Sequence, residues 1–229
     1  MIPRLSPDSV RDTPNPNFSP RPDGISIDML ILHTTGSTDA SRSTHYVVER
    51  DGIIRRLVDE AARAFHAGDG VWRGNRNLDD RSIGIEIACS ALGARHYPAL
   101  QMASVCELCL SVLARHPIPA RNVVGHGDVM PDKQDFGDPF DWPGLAKNGV
   151  GLWPDVPDDG DGDEEAGDAA RIRADLVAIG YGFGDDGATL VDVLRAAQRH
   201  WRPELVTGLA DAGTVGRLAA LRAMIDTGY

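Results

Sequence analysis

Residues 82–88 read SIGIEIA, and the alternation within this short segment decides the fold. Side chains on a β-strand alternate between its two faces, so the three isoleucines share one face while Gly84 and Glu86 share the other. A strand that is almost continuously apolar is typical of one that is covered on both sides. We therefore expect residues 82–88 to form a buried strand.

The segments on either side predict more strands and one long helix. Upstream, MLILH (29–33) is another apolar run, and residues 45–60 form two predicted strands that meet at the turn Asp51-Gly52. Downstream, an amphipathic helix over about 98–115 precedes the short strand NVVGH (122–126). A strand, a long helix and another strand in succession favour a crossover unit, so we predict an α/β fold with a mixed β-sheet flanked by helices.

An acidic stretch divides the chain. Residues 156–168, VPDDGDGDEEAGD, contain seven acids and no base, so their charges repel one another and they cannot bury a core. We predict a domain over residues 1–155, an acidic linker over 156–168 and a small three-helix domain over 169–229. The predicted N-terminal caps of the three helices are Asp168, then Thr189 or Asp186, and then Asp211.

Composition excludes several classes of protein. The 229 residues are 42% hydrophobic, but no run of about 18 uncharged apolar residues could form a transmembrane helix. Of the net charge of −11, the linker contributes −7 and the rest of the chain −4, and a nucleic-acid binder would need clustered lysine and arginine instead. The N-terminus lacks the apolar stretch of a signal peptide, so we expect a cytoplasmic protein, or a periplasmic or envelope protein if the native N-terminus is missing.

Polar residues at predicted strand ends point to a metal site. His33 and His126 each end an apolar strand, which is where α/β sheets place their sites, although either histidine alone could be an ordinary hydrogen-bonded residue. The polar run that follows, GHGDVMPDKQDFGDPFDW, is costly to order unless something such as a metal ties it down. Two imidazoles and a carboxylate are the donors of a catalytic zinc, and the available carboxylates are Asp128, Asp135 and Asp138.

Two further residues could act on a substrate beside such a metal. Glu86 lies within an apolar strand, where burial raises the pKa of a carboxyl group towards neutrality and suits it to act as a general base. The alternative for Glu86 is a structural ion pair, for example with Arg81. Lys133 could stabilise a developing oxyanion, and its alternative is that of a solvated loop lysine.

Five motifs in order, ILHTTGS, HYVVERDGIIRRLV, AFHAG, DDRSIGIEI and GHGDVMPDKQDFGDPFDW, show a more specific likeness. Over about residues 17–145 the chain resembles the type 2 N-acetylmuramoyl-L-alanine amidases, zinc amidases of the AmpD/AmiD branch that are related in fold to peptidoglycan recognition proteins. The resemblance implies a mixed sheet with flanking helices, one zinc per chain and a peptidoglycan or muropeptide substrate. It also implies hydrolysis of the amide between the lactyl group of N-acetylmuramic acid and L-alanine.

The resemblance assigns roles to individual positions. His33, His126 and Asp135 match the zinc ligands, Glu86 the catalytic glutamate, and Lys133 the lysine that stabilises the transition state. The predicted substrate-binding residues are His66 of the AFHAG motif, Thr34 and Arg81.

The third ligand requires a choice, because this loop is one residue shorter than in the commonest family form and carries Phe136 where that form has proline. Matching Lys-x-Asp to Lys133-Gln134-Asp135 also aligns the glycine and aromatic residues that follow, whereas Asp138 would break those matches. We therefore prefer Asp135 and expect Asp128 to brace the loop.

The tail leaves the biological role open. Its run AAQRHWRP resembles part of the three-helix peptidoglycan-binding module of this branch, and Trp201 and Tyr181 either stack on sugars or pack inside the module. The predicted function is peptidoglycan amide hydrolysis in wall recycling or remodelling. The alternatives are a non-catalytic muropeptide-binding protein on the same fold and a phage-type endolysin.

Overall fold

A mixed β-sheet with a parallel centre organises the protein. The computed structural model describes residues 10–35, 43–89, 97–133, 140–156, 168–183 and 188–228. The strands are β1 (Val10–Asp12), β2 (Phe18–Pro20), β3 (Met29–Thr35), β4 (Tyr46–Val48), β5 (Ile54–Arg56), β6 (Ala62–Ala64), β7 (Ser82–Ala88) and β8 (Val123–Gly125). Within these residues six strands form one sheet in the order β1-β5-β4-β7-β3-β8, while β2 and β6 form a separate antiparallel pair.

The predicted crossover is confirmed. Strands β4, β7, β3 and β8 are parallel to one another, and β1 is parallel to β5. The β4–β5 hairpin is antiparallel. The chain leaves β7, passes through the helix α1 (Ala99–Arg115) and returns as β8 beyond β3. Because all four of these strands run in the same direction, their carboxyl ends meet at one edge of the sheet.

In the described part of the chain, five further α-helices follow α1: α2 (His126–Val129), α3 (Trp142–Lys147), α4 (Ala169–Ile179), α5 (Leu190–Trp201) and α6 (Ala212–Asp226). The three tail helices begin where capping residues predict them, because the side chains of Asp168, Thr189 and Asp211 each accept a hydrogen bond from a backbone N–H of the first turn. Residues 157–167, most of the predicted acidic linker, lie outside the described residues.

The two faces of the sheet are covered differently. The isoleucines of β7 and the leucines of β3 pack with the apolar side of α1 in one core cluster. Met29 and Ile31 of β3 and Val124 of β8 point the other way and belong to a cluster that also contains the apolar residues of α4, α5 and α6. The tail helices therefore share a hydrophobic core with the sheet. The domain boundary drawn from the sequence stays a prediction, and it does not separate two hydrophobic cores.

Close backbone contact joins the tail to the first part of the chain. Gly180 ends α4 with a φ of 148°, a conformation that favours glycine. A Cβ atom at Gly180 would lie 2.6 Å from the ring of Trp72, and the Gly180 carbonyl accepts a hydrogen bond of 2.7 Å from the N–H of Arg73. The loop after α4 thus lies directly against residues 72–73.

The carboxylate of Glu60, whose side chain is 13% exposed, connects the β4–β5 hairpin to the end of α1. Glu60 accepts hydrogen bonds from Tyr46 (2.8 Å), from two nitrogens of Arg115 (2.6 and 3.0 Å) and from His116 (2.7 Å). Burial by itself raises the pKa of Glu60, but these donors outweigh burial and lower the pKa from 4.5 to about 2.

Among the described helices, none has the length and apolar character required to cross a bilayer.

Candidate active site

Three predicted site residues meet at the carboxyl ends of the parallel strands. His33 on β3 is the register partner of Glu86 on β7, so the two side chains leave neighbouring strands on the same face. His126 follows β8 and begins α2, and its ring centroid lies 4.5 Å from that of His33. His33 is 2% exposed and Glu86 5% exposed, so both polar groups are buried in a largely apolar setting.

A chain of hydrogen bonds orients the ring of His33. His33 Nε2 lies 3.0 Å from His66 Nδ1, His66 Nε2 lies 3.2 Å from Ser82 Oγ, and Ser82 Oγ donates to the Leu78 carbonyl at 2.7 Å. Because the Ser82 hydroxyl donates its one proton to that carbonyl, its oxygen must accept the hydrogen bond from His66 Nε2–H. His66 Nδ1 then accepts from His33 Nε2–H, so this chain fixes the tautomer and the orientation of the His33 ring.

The environment of His66 favours the neutral form that this chain requires. Burial, followed by the nearby rings of His33, His45 and His126, holds the pKa of His66 well below its ordinary value. Burial and then Arg21 likewise lower the pKa of His45 to about 4. A neutral imidazole keeps one acceptor nitrogen, as His66 does here.

Glycine at position 84 makes room for the His66 ring. A Cβ atom on Gly84 would lie 2.6–2.7 Å from three atoms of that ring, closer than real Cβ contacts. The other side of His66 is fixed through the backbone, since Asp79 Oδ1 accepts from the N–H groups of His66 (2.9 Å) and Ala67 (2.7 Å). The face of β7 that carries Gly84 and Glu86 is therefore the face that builds the site.

Helix α2 is braced from within by Asp128. Its Oδ2 atom accepts a 2.7 Å hydrogen bond from the N–H of Gly125, the residue just before His126. The chain then folds back so that the Lys133 carbonyl would lie 2.9 Å from a Cβ on Gly127. Lys133 is thereby brought beside the His126 turn, with its Nζ atom 3.4 Å from an Asp132 oxygen and its side chain 42% exposed.

His33 and His126 are suitable metal ligands, and the predicted third ligand is not among the described residues. Among the residues that the structure describes, no group of three or more histidine, cysteine or acidic side chains forms a metal-holding arrangement. Asp135 and Asp138, the two candidates for the third ligand, lie outside the described residues. What the described part offers is a pair of adjacent imidazoles at one sheet edge, one of them oriented by an outer hydrogen bond as metal-binding histidines usually are.

Comparison with known proteins identifies the family. The family model for N-acetylmuramoyl-L-alanine amidase matches residues 23–139, just over half of the chain. The N-acetylmuramoyl-L-alanine amidase AmiD of Escherichia coli is 32% identical over 226 aligned residues, which span 85% of this chain and 82% of AmiD. The chain belongs to the N-acetylmuramoyl-L-alanine amidase family. The amidase is also 29% identical to the 1,6-anhydro-N-acetylmuramyl-L-alanine amidase AmpD of Salmonella typhimurium, over 58% of this chain and 87% of AmpD.

Solved structures extend the likeness to the tail of the amidase. A complex of E. coli AmiD with anhydro-N-acetylmuramic acid-L-Ala-D-gamma-Glu-L-Lys superposes with a TM-score of 0.76 at 31% identity, covering 89% of this chain and 92% of that chain. AmpDh3 of Pseudomonas aeruginosa superposes with a TM-score of 0.78 at 28% identity, covering 93% and 98%. A mixed sheet with flanking helices and C-terminal helices is thus the fold of the amidase, as predicted.

The predicted substrate-binding residues of the amidase lie in different places. His66 is buried and its ring bonds His33, so it orients that histidine, and its contact with substrate stays a prediction. Arg81 precedes β7 and forms an ion pair with Asp28. This pair lies at the opposite end of the strand from Glu86, so the structure supports neither a contact of Arg81 with substrate nor an ion pair with Glu86. Thr34 follows His33 on β3, and strand alternation places it on the face towards α1.

Sequence reasoning also missed contacts between distant residues. Ser82 lies within the motif DDRSIGIEI and continues the hydrogen-bond chain from His33, although a serine at the start of an apolar strand carries no distinctive signal. Nothing in the run AAQRHWRP indicated that His200 would contact Asp128.

The alternative left open for Tyr181 and Trp201 is decided by burial. They are 2% and 4% exposed, so they pack in the core instead of stacking on sugars.

Proposed function

We propose that this amidase is zinc-dependent and cleaves the amide between the lactyl group of anhydro-N-acetylmuramic acid and L-alanine. The observation that carries the proposal is the meeting of His33, His126 and Glu86 at one sheet edge. The anhydromuramyl peptide bound to the AmiD relative supports the choice of substrate. We place the reaction in recycling of peptidoglycan fragments, in line with the named activity of the AmpD relative.

His33, His126 and Asp135 are the proposed ligands. The proposed donor set of two imidazoles and one carboxylate leaves a position open, as catalytic zinc sites do. When bound, zinc supplies a Lewis acid that activates water and polarises a carbonyl group. The His33–His66–Ser82 chain supports this assignment, because it presents His33 in a single tautomer and a single orientation.

Glu86 and Lys133 carry the proton and charge transfers in the proposed reaction. Glu86 accepts the proton of the attacking water and delivers it to the departing nitrogen of L-alanine, a role suited to a carboxylate that is 5% exposed. The Lys133 ammonium group stabilises the negative charge that develops on the carbonyl oxygen. Lys133 has to leave its 3.4 Å contact with Asp132 to do so, which its exposed side chain permits.

The test is peptide release from a soluble anhydro-muropeptide, measured with the wild-type chain, after chelation and after zinc is restored. We expect about one zinc per chain by elemental analysis, loss of release on chelation and recovery with zinc. Glu86→Gln should abolish most release with zinc retained. The matched control is Glu49→Gln, because Glu49 follows β4 in the same sheet but pairs with Arg55 at 2.7 Å.

The alternatives give different results in the same experiment. Tight muropeptide binding without release by the wild-type chain would establish a non-catalytic binding protein. Release from intact sacculi that is faster than release from the soluble fragment would favour wall remodelling or an endolysin over recycling. Release that survives complete removal of zinc would overturn the proposed metal dependence.

A further inference from the structure

A buried polar cluster joins the C-terminal helices to α2. Asp128 Oδ1 accepts a 2.6 Å hydrogen bond from Tyr181 Oη, and Asp128 Oδ2 accepts a 2.6 Å hydrogen bond from His200 Nδ1. Trp201 Nε1 in turn donates to Tyr181 Oη at 2.9 Å. We call Asp128, Tyr181, His200 and Trp201 the Asp128 cluster. All four side chains are at most 4% exposed.

The carboxylate at the centre of this cluster depends on the tail for its partners. Asp128 also caps the N–H of Gly125, which precedes His126, so its position determines how α2 begins. A buried carboxylate is costly unless its oxygens are satisfied by donors. Among the described residues, Tyr181 and His200 of the tail donate to Asp128, and the Gly125 N–H donates from its own loop.

His200 touches both flanks of the segment that carries Lys133 and Asp135. Before that segment it bonds Asp128, and after it its ring stacks on Trp142 of α3 with centroids 3.8 Å apart. Its other face stacks on Trp201 at 3.6 Å, so the imidazole is held between two indole rings. His200 also lines a small pocket together with Lys133 and Gly127. The His200 ring therefore contacts a residue before this segment, Asp128, and a residue after it, Trp142.

We propose that Tyr181 and His200 are positioning residues for the amidase reaction. Both residues hold Asp128, and His200 also packs on Trp142, so together they set the turn that presents His126 and the position of Lys133. The C-terminal helices then belong to the catalytic unit, whatever affinity they have for glycan. This inference rests on the proposed function, since it concerns residues that the zinc mechanism uses.

The test compares His200→Phe with Gln198→Leu in the full-length chain. His200→Phe keeps an aromatic ring for stacking but removes the donor to Asp128. Gln198→Leu is the matched control, because Gln198 is 1% exposed on the same helix and its side chain bonds groups within residues 207–214, away from α2. His200→Asn, which can return a donor near the position of Nδ1, is the rescue variant.

Zinc affinity is measured by competition with a chromophoric chelator, beside kcat and KM for the soluble anhydro-muropeptide and the melting temperature. Loss of a partner that orients a metal site costs about 10- to 100-fold in metal affinity or activity, so we expect that loss in zinc affinity and in kcat for His200→Phe, with KM nearly unchanged. Gln198→Leu should lower the melting temperature and leave zinc affinity and kcat near wild type. His200→Asn should recover most of both.

Each outcome decides the matter. If His200→Phe loses melting temperature but keeps wild-type zinc affinity and kcat, the Asp128 cluster is only structural and the inference is wrong. If His200→Phe does not fold, Tyr181→Phe carries the same comparison, because it removes one hydroxyl and keeps the ring. A wild-type chain that neither binds zinc nor releases peptide overturns the proposed function itself, which separates that failure from a failure of the positioning role.

Discussion

Gly84→Ala tests whether the space beside β7 belongs to the His66 ring. The added methyl group would lie 2.6–2.7 Å from three ring atoms, and contacts below 3.0 Å do not persist. The ring cannot simply turn aside, because His33 and Ser82 bond its two nitrogens and it is only 9% exposed. The substitution therefore has to displace the ring or the strand.

The expected cost follows from these contacts. Adding a methyl group to a tightly packed interior costs about 1–3 kcal/mol. Lengthening the hydrogen bonds of 3.0 Å and 3.2 Å forfeits up to about 1 kcal/mol more. We expect the free energy of unfolding to fall by about 1–4 kcal/mol in total. Because His33 would lose its orienting partner, zinc affinity should fall about 10- to 100-fold.

Chemical denaturation gives the free energy of unfolding, and chelator competition gives the zinc affinity. The control is Gly216→Ala on α6, where the nearest heavy atom to the new Cβ is 3.9 Å away, and this change should stabilise the helix by up to about 1 kcal/mol. In a His66→Ala background the clash is gone, so Gly84→Ala should cost less than about 1 kcal/mol. An equal cost in both backgrounds, or a Gly84→Ala chain as stable as wild type, would refute the assignment of this space to His66.

The remaining predictions concern charge and protons. Glu86→Gln should lower kcat by about 10²–10⁴-fold with zinc still bound, and loss of zinc in this variant would instead make Glu86 a ligand. Lys133→Ala should lower kcat by about 10²–10³-fold with little change in KM, and an equal loss in Lys147→Ala, a matched lysine on α3, would argue against a specific role. Glu60 has a pKa of about 2 in the folded chain against 4.5 ordinarily, so its stabilisation is complete above pH 4.5 and disappears as the pH falls towards 2. Denaturation of Glu60→Gln should therefore show a deficit of about 2–3 kcal/mol at pH 7 that vanishes near pH 2, and a deficit independent of pH would contradict this origin.

Local patterns predicted the elements and the first members of the site. The two-residue period of 82–88 placed Glu86 with Gly84, and the ends of the apolar runs placed His33 and His126 at one sheet edge, as the structure has them. Capping residues likewise predicted where the tail helices begin. These signals are local, so they depend on the chain alone.

Local sequence patterns could not predict contacts between residues that are far apart in the sequence. His66 was assigned to substrate binding from the AFHAG motif. A motif does not show which side chains touch, so it could not predict the hydrogen bond between His66 Nδ1 and His33 Nε2. Arg81 was assigned to substrate binding by the resemblance, with an ion pair to Glu86 as the alternative, yet its ion-pair partner is Asp28, just before β3. The tail was expected to pack on itself, and it does, but its apolar residues also share a cluster with Met29 and Ile31, which the local pattern did not predict.

That shared cluster limits how the protein can be divided. A wall-anchoring domain on a flexible tether can be exchanged between enzymes, since neither part relies on the other for burial. Here, cutting before Ala169 would expose Met29, Ile31 and Val124 to water together with the indole of Trp72. Evolution or engineering that replaces this tail must therefore bring a new apolar cover of the same shape, or rebuild the sheet surface with polar residues.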